Sequence, residues 1–192
     1  MNPAIRTIVL ALSASLLLVS SATAMQVTRS AIQIPQLTAD QLEFLSHVSM
    51  VDLPDGQGGF VRTARISGIN VQVVNGSGAT NGTPDGLGNL IVGYNELRGA
   101  GDDRTGSHNL VTGRRNNYKS YGGLIGGASN EISGNWSSVS GGVLNTASGA
   151  YSSVSGGRFN TASGIASTVS GGASRSATGT NDWVAGSLFE TN

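Results

Sequence analysis

From Leu124 onward the chain sets one apolar residue among hydroxyls and glycines every fifteen positions: Leu124, Val139, Val154, Val169 and Val184. A smaller apolar residue follows eight positions later, as Ala147 follows Val139 and Ala162 follows Val154. The phrase is written three times, as NWSSVSGGVLNTASG from Asn135, AYSSVSGGRFNTASG from Ala150 and IASTVSGGASRSATG from Ile165. A phrase this short cannot bury its own apolar face and must stack on its neighbours as a solenoid. Side chains alternate across a strand. The pattern therefore predicts two short strands per coil, with Val139 and Ala147 inward and Ser138, Ser140, Thr146 and Ser148 outward. The expected core column is Leu124, Val139, Val154 and Val169, faced by Ala147 and Ala162. Asn130, Asn145 and Asn160 recur at one turn, where stacked amides can satisfy backbone groups along the axis; Arg175 breaks that column. Weaker echoes, NLIVG from Asn89 and NLVTG from Asn109, start the repeats earlier, and residues 99–105 read as an insertion into one coil.

Upstream of the repeats the pattern changes. Residues 26–34 alternate as a strand does. Residues 37–48 read as a helix, with Thr38 as N-cap and Gln41 three positions later completing a capping box. Leu37, Gln41, Phe44, Val48 and Val51 follow a four-three spacing, which fits a solenoid cap or the start of a trimerising coiled coil. Residues 52–59 are a loop rich in Asp, Pro and Gly. Val61, Ile66, Ile69, Val71 and Val73 mark two strands broken at Ser67 and Gly68, and residues 75–88 form a turn-rich connector. The expected organisation is a signal peptide over 1–24, a strand, helix and linker over 25–59, a β segment and connector over 60–88, and β-roll repeats over 89–192.

The first 24 residues carry Arg6, an apolar run from Ile8 to Val19 and a small-residue cleavage site at Ala22 to Ala24. The run falls short of the roughly 20 residues of a spanning helix. Export is therefore expected, with no membrane-spanning helix left after signal removal, in a secreted or cell-surface protein. With no cysteine, an exported fold has to rely on backbone ladders and packing. Eleven basic against eleven acidic residues give no electrostatic case for nucleic acid. The 29 glycines, without a collagen period, point to turns at regular intervals.

The phrase S-x-V-S-G-G-x-x-N-T-A-S-G, over residues 89–186, resembles the head repeats of trimeric autotransporter adhesins. The resemblance implies a left-handed parallel β-roll of about fifteen-residue coils, an all-β fold preceded here by a short helix and β segment. It also implies a bacterial protein, a homotrimer and an adhesive role. Three features depart from the family. The period is mostly fifteen where the family's is commonly fourteen, the turn reads V-S-G-G where the family often carries V-A-I-G, and neither a long stalk nor a run of membrane strands follows. Release, or retention by a partner, is the expectation that goes with the last of these.

Chemistry that would make an enzyme is not legible. His47 and His108 are the only histidines and no cysteine is available, so a zinc site is not expected. Asp102 and Asp103 lack the repeated acidic pattern of calcium loops and read as a solvated loop. The Gly86 to Gly88 fragment lacks the helix and distant acid of a nucleotide fingerprint. No catalytic, cofactor or metal residues are assigned. The candidate surface-contact residues are Tyr121, Trp136 and Tyr151, fifteen apart and expected to stack as an outward aromatic strip. Such a strip either contacts a cell-surface or matrix protein or glycan, or is covered between subunits. Hydroxyl columns (Thr146 and Ser148, Thr161 and Ser163, Ser176 and Thr178) raise the alternative of a soluble ice- or glycan-binding solenoid. Since Ser is mixed with Thr and the other face is equally polar, a merely solvated face explains them more simply.

Overall fold

A computed structural model describes residues 37–186. The expected signal peptide, the strand at 26–34 and the last of the expected repeat residues, 187–192, lie outside the described residues. The chain divides into two compact units at Ile69 and Asn70.

In the first unit, helix α1 (Ala39–Ser46) leads into strands β1 (Val48–Pro54) and β2 (Phe60–Ile66), which pair antiparallel. The capping box forms as expected: the Gln41 amide donates to Thr38 Oγ1 (3.2 Å), and the Thr38 amide donates to Gln41 Oε1 (2.9 Å). The helix is shorter than the four-three spacing suggested. His47 ends it, and Val48 and Val51 lie in β1. Their true partners are Ile66 and Thr63, far along the chain. Residues 52–54 belong to β1, and the hairpin loop is 55–59, held by the Asp55 carboxylate accepting from Gln57 and Gly59 (both 2.8 Å). The Asp55 carboxyl is held below the usual carboxylate range by these amides. The expected second strand over 69–73 does not form. The boundary drawn at 59/60 therefore runs through a hairpin, and the break lies ten residues later.

The second unit is a parallel β-solenoid with two strands per coil, as the alternation required. One sheet stacks seven strands: Leu90–Val92, Leu110–Thr112, Leu124–Ile125, Ser138–Val139, Ser153–Val154, Thr168–Val169 and Trp183–Val184. The other stacks five: Asn117–Tyr118, Glu131–Ile132, Thr146–Ala147, Thr161–Ala162 and Ser176–Ala177. The fully buried side chains alternate between the sheets: Val111 and Tyr118, Ile125 and Ile132, Val139 and Ala147, Val154 and Ala162, Val169 and Ala177.

Leu124 is not in this core. It pairs with Ser138 and is 37% exposed, while Ile125 pairs with Val139 and is buried. Of two adjacent apolar residues only one can face inward in a strand of period two, and only the pairing chooses between them. The consequence is that the first coils are fourteen residues long, from Val111 to Ile125 and from Ile125 to Val139, and become fifteen only from Val139 to Val154. The added residue falls in the turn after Val139, which takes five steps to Leu144 where Ile125 takes four to Ser129.

The core side chains become smaller as the coils lengthen, from Ile125 and Ile132 to Val139 and Ala147. A Cβ added to Gly123 would lie 2.5 Å from Ile132 Cδ1, so the absent side chain makes room for a large one. One coil on, the corresponding positions are Ser137 and Ala147, larger and smaller in turn.

The Asn column lies inside the turn and is fully bonded. The amides of Asn130, Asn145 and Asn160 donate to Oδ1 of Asn116, Asn130 and Asn145 at 2.8–3.0 Å. Each Nδ2 donates to a glycine carbonyl of its own coil and one of the next, as Asn145 does to Gly141 (3.1 Å) and Gly157 (3.0 Å). Arg175 ends the column of side chains, although its amide still donates to Asn160 Oδ1 (2.9 Å).

The insertion is confirmed as an enlarged coil of twenty residues between Ile91 and Val111. Asp102 ties it down by accepting from the amides of Arg98 (2.8 Å) and Gly99 (3.0 Å), with Arg104 beside it. Burial raises the Asp102 carboxyl pKa, but these donors and the nearby guanidinium more than offset it and hold the group below its ordinary range.

Candidate functional site: an aromatic corner of the solenoid

Each coil turns between the second sheet and the next strand of the first sheet through one residue in the left-handed region. The residues at this corner are His108 (φ 56°), Gly122 (68°), Trp136 (52°), Tyr151 (61°), Ala166 (55°) and Asn181 (63°). A residue other than Gly there costs roughly 1–2 kcal/mol. The corner is held by bonds from each coil to the one before: Trp136 N–H donates to the Tyr121 carbonyl (2.9 Å), Tyr151 to Asn135 (2.9 Å) and Ala166 to Ala150 (2.8 Å).

The three aromatic rings come together, but not as equal rungs. Trp136 and Tyr151 occupy the same corner position on successive coils and stack nearly parallel, with centroids 5.3 Å apart and planes 8° apart. Tyr121 sits one position before the corner. Its spacing of fifteen from Trp136 crosses a coil of fourteen. The corner residue of its own coil is Gly122, and a Cβ there would lie 2.6 Å from Trp136 Cδ1, so the indole rests where a side chain would otherwise stand. Tyr121 consequently meets Trp136 edge to face, at 5.0 Å and 88°, and its hydroxyl accepts from Asn135 Nδ2 (3.2 Å). Edge-to-face and offset-stacked geometries are both favoured between rings. Trp136 is 41% exposed and Tyr151 58%, while Tyr121 is half-buried. The cluster is thus closed at the Tyr121 end and open beyond Tyr151.

The opposite corner, between the first and second sheets, holds a second set of left-handed residues: Arg115, Ser129, Leu144, Phe159 and Ser174. Leu144 and Phe159 are exposed, with Val143 beside them and the Arg158 guanidinium 5.3 Å from the Phe159 ring centroid. Sequence reasoning missed this strip. Its signal is the bulky residue just before each Asn of the ladder, in VLN and RFN. The outer face of the first sheet is apolar at Leu90, Leu110 and Leu124 and becomes Ser138, Ser153 and Thr168 in the later coils. The hydroxyl columns pair in register on the second sheet, Thr146 with Thr161 and Ser176.

The histidines are occupied by the fold. His108 Nε2 accepts from the Asn75 amide (3.2 Å), and Nδ1 faces the Thr80 carbonyl (3.2 Å). His47 Nδ1 faces the Ser67 carbonyl (2.9 Å). Among the described residues no group of three His, Cys, Asp or Glu is arranged to hold a metal ion, and no helix is long and apolar enough to cross a membrane. Comparison with family models, with curated proteins and with solved structures gives no match for this chain. The fold itself defines the class, a parallel β-solenoid with an aromatic corner.

Proposed function

We propose that this chain is an exported, non-catalytic attachment module whose solenoid presents the Tyr121, Trp136 and Tyr151 cluster to a cell surface, a matrix or a partner. The observation that carries the reading is the exposure of two stacked rings at positions where the backbone conformation disfavours any side chain. Aromatic rings offer a large contact area at low conformational cost. The reading as an exported module rests on the leader-like first 24 residues, and the adhesive role draws on the resemblance to trimeric autotransporter adhesin heads.

Self-association, as a parallel homotrimer, belongs to the same proposal. It is supported by the apolar residues exposed on the helix and hairpin and by the leucine column of the first sheet. In each unit taken by itself, exposed apolar surface of this kind is characteristic of interfaces.

The test replaces Trp136 by Ala. Ala166 occupies the same corner with φ 55°, so the backbone already accommodates Ala there. Attachment of the purified protein to bacterial and host surfaces should fall about tenfold while circular dichroism is unchanged. Undiminished attachment by a folded variant would remove the residue-level support for the reading.

A further inference from the structure

We infer that the aromatic corner contains a subsite for a single neutral sugar ring, lying over Tyr151 at the level of Ala166. This inference rests on the attachment reading and names its ligand. The corner column runs Gly122, Trp136, Tyr151, Ala166 and Asn181, one residue per coil. Two successive coils carry rings, and the third carries a methyl group. The stack is closed at one end, where Tyr121 stands edge-on to Trp136 and the indole fills the space above Gly122. At the other end Tyr151, the more exposed of the two stacked rings, has only Ala166 as its next corner neighbour.

The dimensions select one flat ring. Successive rungs of a sheet lie about 4.8 Å apart, so the Tyr151 and Asn181 positions are separated by about 9.6 Å with Ala166 midway. Trp136 and Tyr151 already show that this corner accepts ring on ring at 5.3 Å. A ring placed over Tyr151 at that distance falls on the Ala166 rung and is bounded beyond by exposed Asn181.

The surrounding chemistry selects a sugar. A pyranose has an apolar C–H face that stacks on an aromatic ring and a rim of hydroxyls that needs donors and acceptors. Tyr151 supplies the face, and the Asn181 amide supplies one donor and one acceptor on the far side. No Lys or Arg stands in the corner column, where His108 lies three coils from Tyr151, and Asp182 follows Asn181 directly. Both features disfavour an anionic sugar and leave a neutral hexose polymer as the ligand class.

The experiment uses the full mature chain and three variants, Tyr151→Ala, Asn181→Ala and Ala166→Trp. The last should fill the slot with the protein's own ring, at a φ that Trp136 already adopts. Binding is measured by pull-down on insoluble cellulose, mannan and β-1,3-glucan, and by quenching of tryptophan fluorescence with the corresponding soluble oligosaccharides. The parent should bind at least one of the three. Tyr151→Ala and Ala166→Trp should each lose about tenfold, and Asn181→Ala about threefold. Circular dichroism serves as the folding control; should Ala166→Trp not fold, the other two variants decide. If the parent binds none of the polysaccharides yet attaches to cells through Trp136, the subsite is wrong and the attachment reading stands. If folded Ala166→Trp and Tyr151→Ala bind as the parent does, the subsite is likewise overturned. If no variant, Trp136→Ala included, loses either polysaccharide binding or cell attachment, both readings are overturned.

Discussion

The helix–hairpin of residues 39–66 and the solenoid that follows are both built from short elements, but they satisfy those elements in opposite ways. In the solenoid each coil from Val111 to Ala177 buries one apolar side chain from each sheet. Its turns are bonded internally by the Asn column and its strands by the coils above and below. Among residues 37–69 none is buried. Leu37, Leu42, Phe44, Leu45, Met50 and Phe60 all stand exposed, although the helix cap and the hairpin register are well formed. Good local geometry does not by itself stabilise a helix or a two-stranded hairpin, because their stability comes mainly from packing an apolar face. The solenoid supplies its own cover by repetition, and the described residues of the helix–hairpin leave their apolar side chains exposed.

Charge placed in the two regions should therefore have different consequences. Val154→Asp, at a fully buried position, should abolish the folded solenoid, because a carboxylate without a partner would enter a core only two side chains wide. Loss of the β signal in circular dichroism checks this, and a stable, normally folded variant would sink the core register. Phe44→Asp, on an exposed face, should leave the solenoid's β signal intact and lower the self-associated mass in light scattering. A folded parent that is monomeric at high concentration would contradict the oligomer proposal directly.

Between these extremes lies the turn. Asn145→Ala removes three hydrogen bonds: it leaves the buried Asn160 amide without its acceptor and takes a donor from the half-buried Gly141 carbonyl and from the Gly157 carbonyl, which still accepts from the Val143 amide. At roughly 1–3 kcal/mol for each unsatisfied buried group, partly relieved by relaxation, a loss of about 3 kcal/mol is expected in urea unfolding. The smallest effect should come from acid. The folded-state pKa of Asp102 is depressed, so the support it gives the enlarged coil is present above the ordinary carboxyl range and is lost as pH falls through the depressed value. The amide resonances of Arg98 and Gly99 should titrate together with a midpoint below the usual Asp range, while those of the Asn column stay fixed.

Much of this molecule was readable from residue order. Repetition of Val and Ala among hydroxyls implied stacked two-strand coils, the inward positions of Val139, Val154, Val169, Ala147 and Ala162, and the Asn ladder. Thr38 and Gln41 announced the helix start. These features rest on local periodicity and capping, which are properties of neighbouring residues. Register was another matter. Leu124 and Ile125 compete for one inward place, and the choice is made by backbone pairing with Ser138 and Val139. The change from fourteen to fifteen residues per coil is one added turn residue and carries no apolar signal. It places Gly122 under Trp136 and Tyr121 edge-on, where equal spacing implied a uniform stack. Val48 and Val51 fit helix spacing, yet their strand partners lie beyond a loop, in residues 60–66. Sequence alone determined which residues repeat and which kind of element each repeat forms. The tertiary structure decided which residue lies over which, because alignment between coils is set by hydrogen bonds between backbones distant in the chain.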